Sequence, residues 1–386
     1  MKNPFRRREP APEVVPERKS AGLVQLQALH AAWTPTGYAA LSREGHARNP
    51  VVHACTRMIA DAVSSCRVVA RAGGEAVDDH PALALLAAPN DALSFVELME
   101  AIAGHLLLSG DAYLRAVLID DELRALHVLR PDRVRAVLDR DGWVAAYEYR
   151  TLGHVERIVT GEGPPPVLHL RLFNPLDDHD GFAPLAAAAM ALDVHNAAMR
   201  WNKALLDNSA RPSGALVYDV ADRNLTPEQF ERLKRELENG YGGAARAGRP
   251  LLLEGGLDWK AMSLSPRDMD FMEARNGAAR DIALAFGVPP MLLGIPGDAT
   301  YSNYAEAQRA FWRTSVLPLA GRILAALARL VSAHGGERIE LEVDVDRVSA
   351  LAGEREAMWR RVGEADFLTP DEKRAALGLP AWEAAP

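Results

Sequence analysis

From Leu264 to Ala333, apolar residues recur at helical spacing in two runs, with a stretch between them that has no period. In the first run Met269, Met272, Ala279, Ile282 and Phe286 form one stripe. Ser265 suits the cap, Pro266 the first helical position, and Asp268 follows three residues on, as a capping box requires. Gly287 and Pro289 stop this helix. A second helix is predicted to begin after Ser302 or Asn303, with Glu306 placed to answer Asn303, and to run to about Ala333. At about 1.5 Å per residue it measures roughly 45 Å, with a kink expected at Pro318. The intervening PMLLGIPGDATYSN, Pro290 to Asn303, carries two glycines, an internal proline and a cluster of Asp, Thr, Ser and Asn, and predicts a loop without regular structure.

Earlier in the chain the same patterns alternate. Residues 1 to about 22 are rich in Pro, Arg and Glu with no apolar period and predict a mobile arm. An amphipathic helix follows Asn49 and Pro50, through Val51, Ala54, Cys55, Met58 and Ile59 to about Ser64, and Arg67 to Arg71 reads as a strand. HPALALLAAPN predicts a short helix and Ser94 to Ser109 a longer one. From Asp111 to Leu172 the period shifts to two, which predicts a mainly antiparallel sheet with hairpins. Pro184 to Asn208 is helical again and rich in Ala, so that it can approach neighbours closely; Arg211, Pro212 and Gly214 end it. A small α/β insert comes next. Its strand, Ala215 to Val220, leads to a helix specified by Thr226 with Gln229, by Pro227 and by a Leu225–Phe230 staple. After the turn GYGGAARAG, Arg249 to Glu254 and Asp258 to Leu264 are expected to pair as a hairpin, and the ends of the insert to lie close together.

The chain has 386 residues, 48% of them hydrophobic and 25% charged, as expected of a globular protein with room for two or three domains. Apolar runs such as Leu185 to Leu192 fall short of a membrane span, and the basic start MKNPFRRR leads into Pro and Glu, so no membrane and a cytosolic place of assembly are expected. Net charge is −8, although the first twenty residues carry six basic against three acidic side chains. That balance disfavours a tight, sequence-specific grip on DNA. Cys55 and Cys66, the only cysteines, lack metal-ligand spacing and read as small buried hydrophobes.

Asp177, Asp178, His179 and Asp180 are the residues that tempt an enzymatic reading, as a metal-dependent nuclease or hydrolase. Adjacent residues point in different directions, however, and Gly181 with the flanking Pro175 and Pro184 predicts a solvent-facing turn. The sequence has no GxxxxGKS, GxSxG or HExxH, and GYGGAARAG follows a helix and precedes a strand, the reverse of a nucleotide cradle. No catalytic residue, metal site or cofactor is therefore expected.

The order of elements, with GVPPMLLG, then ATYSN, then YAEAQRAFWRTSVLPL, resembles the portal protein of long-tailed bacteriophages. NPVVHACTRMIADAVSS, HPALALLAAPN, HLLLSGDAYLRAV, LRPDRVRAV, VLHLRLF and LTPDEKRAALGLP look like further blocks of that family, over roughly residues 48 to 382. The compact length also fits the portal of a gene transfer agent. The resemblance implies an α+β portal fold assembled as a ring of about twelve subunits at one capsid vertex. Such a ring is the channel for DNA entry and exit and docks terminase and then a head–tail adaptor. It implies an arm over 1–22, a wing over 23–182 with a strand in 335–348, stem helices in 183–210 and 264–288, a clip over 211–263, a tunnel loop over 289–303, a long helix over 304–334 and a reduced crown over 349–386. The loop residues implied to line the channel are Gly294, Ile295, Pro296, Gly297, Asp298, Ala299, Thr300, Tyr301, Ser302 and Asn303. Those implied to dock partners from the clip are Leu225, Thr226, Glu228, Glu231, Arg232, Arg235, Glu238, Tyr241 and Arg246. Expected partners are further copies of the chain, double-stranded DNA without sequence preference, terminase, adaptor and major capsid protein. A scaffold oligomer without a channel is the remaining alternative.

Overall fold

The computed structural model of the chain describes residues 33–207, 214–218, 226, 228, 229, 231, 232, 235, 257–261, 271–296 and 301–379. Helix starts follow local capping chemistry. α1 (Tyr38–Leu41) passes into a π turn at Ser42–His46. α2 (Pro50–Ser64) begins where the Asn49 carboxamide oxygen accepts from the amides of Val51 and Val52. The His80 ring accepts from the Ala82 amide at the start of α3 (Pro81–Ala87). Ser94 and Glu97 cap α4 (Phe95–Ser109) reciprocally, and Gly110, at φ 83°, ends it.

The alternating region resolves into two sheets where one was expected. β3 (Asp111–Ile119) lies between β4 (Glu122–Leu129) and β8 (Val167–Arg171). β5 (Val134–Leu138), β6 (Val144–Thr151) and β7 (His154–Val159) form the second sheet. A 3₁₀ turn at Pro131–Arg133 separates β4 from β5. Tyr113, Leu129, Tyr147, Ile158 and Val167 make a small core of their own across the two sheets. β1 (Val68–Ala72) pairs with β2 (Glu75–Val77) on one side and on the other with β11 (Ile339–Val343), Ala70 facing Leu341.

The Ala-rich helix expected over Pro184 to Asn208 is interrupted. α5 (Pro184–Ala187) ends at Ala188, whose ψ of 12° leaves the helical range, and α6 (Ala189–Asp207) continues after it. β9 (Gly214–Tyr218) pairs antiparallel with β10 (Leu257–Ala261), Gly214 facing Ala261, so the two ends of the insert adjoin. The hairpin partner expected at 249–254 lies outside the described residues, as do the Leu225–Phe230 staple and the glycine turn at 240–248. α7 (Phe271–Phe286) packs beside α6. Its expected cap at Ser265, Pro266 and Asp268 lies outside the described residues. Met272 is exposed, and the buried stripe starts instead at Ala278 and Ala279 and runs through Ile282, Ala283 and Phe286.

α8 (Tyr301–Phe311), a π turn at Trp312–Val316 and α9 (Leu317–Gly335) form one uninterrupted helical run. Pro318 has no amide to donate and its ring crowds the preceding turn; the π turn just before it is the form the expected irregularity takes. By length and composition the run from Asn303 to Gly335 is the one described helix able to cross a membrane, although the sequence pattern suggested no such span. Half of its apolar window is buried within the protein, where Ala320, Ile323, Leu324, Leu327, Leu330 and Val331 join the main core. Two further helices follow, α10 (Ala352–Gly363) and α11 (Pro370–Ala376), the second capped reciprocally by Thr369 and Glu372.

Candidate functional site

The segment joining α7 to α8 is held at its base by identifiable contacts. At the end of α7, Phe286 and Val288 are buried, and Gly287 between them takes φ 67°. A Cβ at Gly287 would stand 2.6 Å from the Ser315 hydroxyl oxygen, and that hydroxyl donates to the Gly287 carbonyl at 2.7 Å. The close approach and the left-handed backbone both require glycine. Residues Pro290–Leu293 then form a 3₁₀ turn closed by Gly294 at φ 69°, and the Ile295 amide reaches the Pro290 carbonyl at 3.2 Å. Leu292, Leu293 and Ile295 pack on the core. The Arg280 guanidinium donates to the Pro296 carbonyl.

The loop is thus shorter than the sequence suggested. Prolines at 289 and 290 preset a tight turn, so Pro290–Leu293 is regular, and Tyr301, Ser302 and Asn303 already belong to α8. Among the described residues of the loop, 294–296 remain irregular. Gly294 and Pro296 are exposed and Ile295 is half-buried, while Gly297, Asp298, Ala299 and Thr300 lie outside the described residues. Beyond the loop, Asn303 and Tyr304 are exposed, Glu306 pairs with Arg309, and Arg313 pairs with Glu354 at 3.0 Å.

Small side chains set the spacing of the two helices that lead to this segment. Ala187, Ala188, Ala191, Ala274, Gly277 and Ala278 line a groove of about 540 Å³ between α5/α6 and α7. Met190, Val194 and Leu284 flank these small residues along the groove and are exposed, as are Met199, Trp201 and Met272 elsewhere on the pair. A buried amide and imidazole network ties α6 to the start of α2. Asn49 Nδ2 bonds His195 Nδ1 at 3.0 Å and Asn196 Oδ1 at 2.9 Å, and Asn196 donates to the Glu44 carbonyl at 2.9 Å. Burial pushes the His195 pKa down, with the Arg275 charge adding to the effect, so the neutral ring is the stable form here.

At the insert, Thr226 and Gln229 make the reciprocal cap read from the sequence, at 3.0 and 3.3 Å. Glu228, Glu231, Arg232 and Arg235 are helical and exposed, and Arg235 Nε donates to the Glu231 carbonyl at 3.3 Å. Leu225, Glu238, Tyr241 and Arg246 lie outside the described residues.

Asp177 is engaged by its own turn. Its Oδ1 accepts from the amides of His179 at 2.7 Å and Asp180 at 2.9 Å, and the two bonds, Asp180's first, hold its carboxyl below the usual range. Arg171 donates to the Asp178 carbonyl. Among the described residues no group of three or more His, Cys, Asp or Glu could hold a metal ion. Cys55 and Cys66 are buried and free, their thiols pushed up to about 12 and about 11 by burial.

Sequence reasoning missed a buried cluster beside that turn. Asp111 accepts from His169 Nε2 at 2.7 Å and from the Gly181 amide at 2.8 Å. The His169 ring stacks on Tyr113 with centroids 4.2 Å apart and meets the edge of Tyr147. The one local hint is Asp111 directly after the helix-ending Gly110, a position that faces inward once β3 begins.

The phage portal protein family model matches residues 50–378. The chain is similar to one in the solved neck of an empty gene transfer agent particle, computed with C6 symmetry: 51% identical, TM-score 0.74, covering 91% of this chain and 96% of that one. A chain from the neck of the native particle, computed with C12 symmetry, gives the same identity and coverage with a TM-score of 0.71. An uncharacterized protein of Rickettsia bellii (strain RML369-C) is 39% identical over 341 residues, 87% of this chain and 88% of its own length.

Proposed function

The chain belongs to the phage portal protein family, and from that membership we propose how the subunit divides the work of a portal. The protein is the portal of a phage-like particle, a ring of copies at one capsid vertex. In this reading double-stranded DNA enters and leaves through the ring, about twelve copies surround it, and the chemistry is mechanical, with no catalytic residue or cofactor. Residues 23–182 together with β11 serve as the wing toward the capsid protein. The stem is made by 183–210 and 264–288, the wall of the channel. The insert, 211–263, is the clip, and its exposed Glu228, Glu231, Arg232 and Arg235 face terminase and later the adaptor. Residues 349–386 form a short crown.

The observation that carries this reading is the segment between α7 and α8, anchored at Gly287, Leu292, Leu293 and Arg280 while Gly294 and Pro296 are exposed. A firmly held base suits a loop that meets a moving strand. Asp298 is the one charge in Gly294 to Asn303, so DNA meets hydroxyl and backbone groups there, and repulsion keeps phosphate from lodging. Arg280 is occupied at the loop's base.

Deleting Gly297 to Thr300 tests this. Rings and adaptor docking should persist, while packaged DNA per particle falls several-fold. Asp298→Arg should slow packaging, with recovery as salt is raised. Packaging at the ordinary rate in both variants would reduce the segment to a connector.

A further inference from the structure

A groove of about 940 Å³ runs between α9 and the open edge of β11. Its helical wall carries the small side chains Gly321, Ala325 and Ala328 beside Arg329, with Leu317 at one end and Ser332 near the other. A Cβ added at Gly321 would meet nothing within 4 Å. Opposite, β11 pairs with β1 on one side, and no other described strand adjoins it.

The direction of the strand's polar groups follows from its pairing. The Asp344 amide donates to Arg67 of the β1 side at 2.8 Å, so by antiparallel alternation Glu342 and Glu340 also turn their amides and carbonyls toward β1. Those of Ile339, Leu341 and Val343 turn toward the groove. Ile339 is already served, because Ser332 Oγ accepts from its amide at 3.0 Å and donates to its carbonyl at 3.4 Å. Leu341 and Val343 are left with a pair of main-chain groups each on the open edge, beside an apolar trough. An edge strand next to a helix of small side chains is the geometry in which an extended peptide adds as a strand.

We propose that an extended stretch of a neighbouring copy in the ring lies in the α9–β11 groove and hydrogen-bonds Leu341 and Val343 as an added strand. The inference rests on the ring assembly. That assembly gives each subunit a permanent neighbour and calls for two unlike surfaces that meet, a heterologous contact. The rim argues against DNA as occupant. Glu340 pairs with Arg338 at 3.2 Å and Glu342 with Arg71 at 3.3 Å, and the lining as a whole sets Glu337, Glu340 and Glu342 against Arg329 and Arg338, with no cationic surplus of the kind phosphate requires.

Hydrogen exchange resolved to single amides, on rings and on the same full-length chain dissociated by dilution, tests the proposal. The Leu341 and Val343 amides should exchange at least about tenfold more slowly in rings, while Ile339, tied to Ser332, changes little. Ala325→Trp fills the trough: it should abolish ring formation, or leave rings without this protection, with the melting of the single subunit unchanged. Rings in which Leu341 and Val343 exchange as fast as in single subunits would overturn the added strand. So would protection that arises only on adding another neck protein. Failure to form rings at any concentration would instead overturn the ring reading beneath it.

Discussion

Gly287 and Gly294 share a left-handed backbone, with φ of 67° and 69°, yet their surroundings differ. Beside Gly287 the Ser315 hydroxyl fills the space a methyl group would need, whereas nothing lies within 4 Å of a Cβ at Gly294. Gly294→Ala should cost about 1 kcal/mol, the backbone strain alone. Gly287→Ala should cost about 2–3 kcal/mol, because the hydroxyl must also move and loses its bond to the carbonyl. Equilibrium urea unfolding of the two variants would show the ordering, and equal losses would contradict it. A pH effect belongs to the same scale. Burial, assisted by the Arg130 charge and opposed by Asp132, holds the His105 pKa down to about 4. A folded pKa below the unfolded one means that the unfolded chain binds the extra proton first, so stability falls as pH drops from about 6.5 to about 4, by roughly 3 kcal/mol from this group. His46 and His195 are shifted the same way by burial. His105→Gln should flatten that part of the profile of unfolding midpoint against pH; an unchanged slope would refute the assignment.

At the scale of elements, what was legible depended on how local the determining chemistry is. Caps such as Ser94 with Glu97 and Thr226 with Gln229 lie within one turn; α4 starts where the pattern placed it and the Thr226–Gln229 cap forms, whereas the Thr369–Glu372 cap, equally local, was not read. The break at Ala188 left no mark, because alanine is compatible with both the helix and its interruption. Periodicity announced strands from Asp111 to Leu172 but not their division into two sheets, which depends on a turn at Pro131 and on which edges meet. Loop chemistry was overread at Pro290, where two prolines favoured a tight 3₁₀ turn, and at Tyr301, where α8 starts sooner than expected. The Asp111–His169 pair joins residues 58 apart, and a lone histidine in a strand carries no local sign of its partner. The clip reading makes its own prediction. Charge reversal at Glu231, Arg232 and Arg235, which are helical and exposed, should leave rings intact and abolish packaging. Normal packaging by that variant would move the docking surface elsewhere.

For the whole molecule, a single subunit leaves apolar surface that its own fold does not cover. Met190, Val194, Met272 and Leu284 are exposed on the helices assigned to the stem, and the α9–β11 groove is open. Side-by-side copies around an axis would bury such surface by a repeated contact, and a wall of helices then encloses a passage. DNA needs that passage to be continuous and free of a strong cationic grip, which agrees with a net charge of −8 and a loop whose one charge is acidic. The most direct test is the averaged electron-microscope image of the purified full-length protein, viewed along the particle axis. The portal reading predicts rings of about twelve subunits with an open centre wide enough for duplex DNA, roughly 20 Å or more across, or counts close to twelve when the protein is overproduced without capsid. Compact particles with no central opening, or a monomer that persists at high concentration, would contradict it.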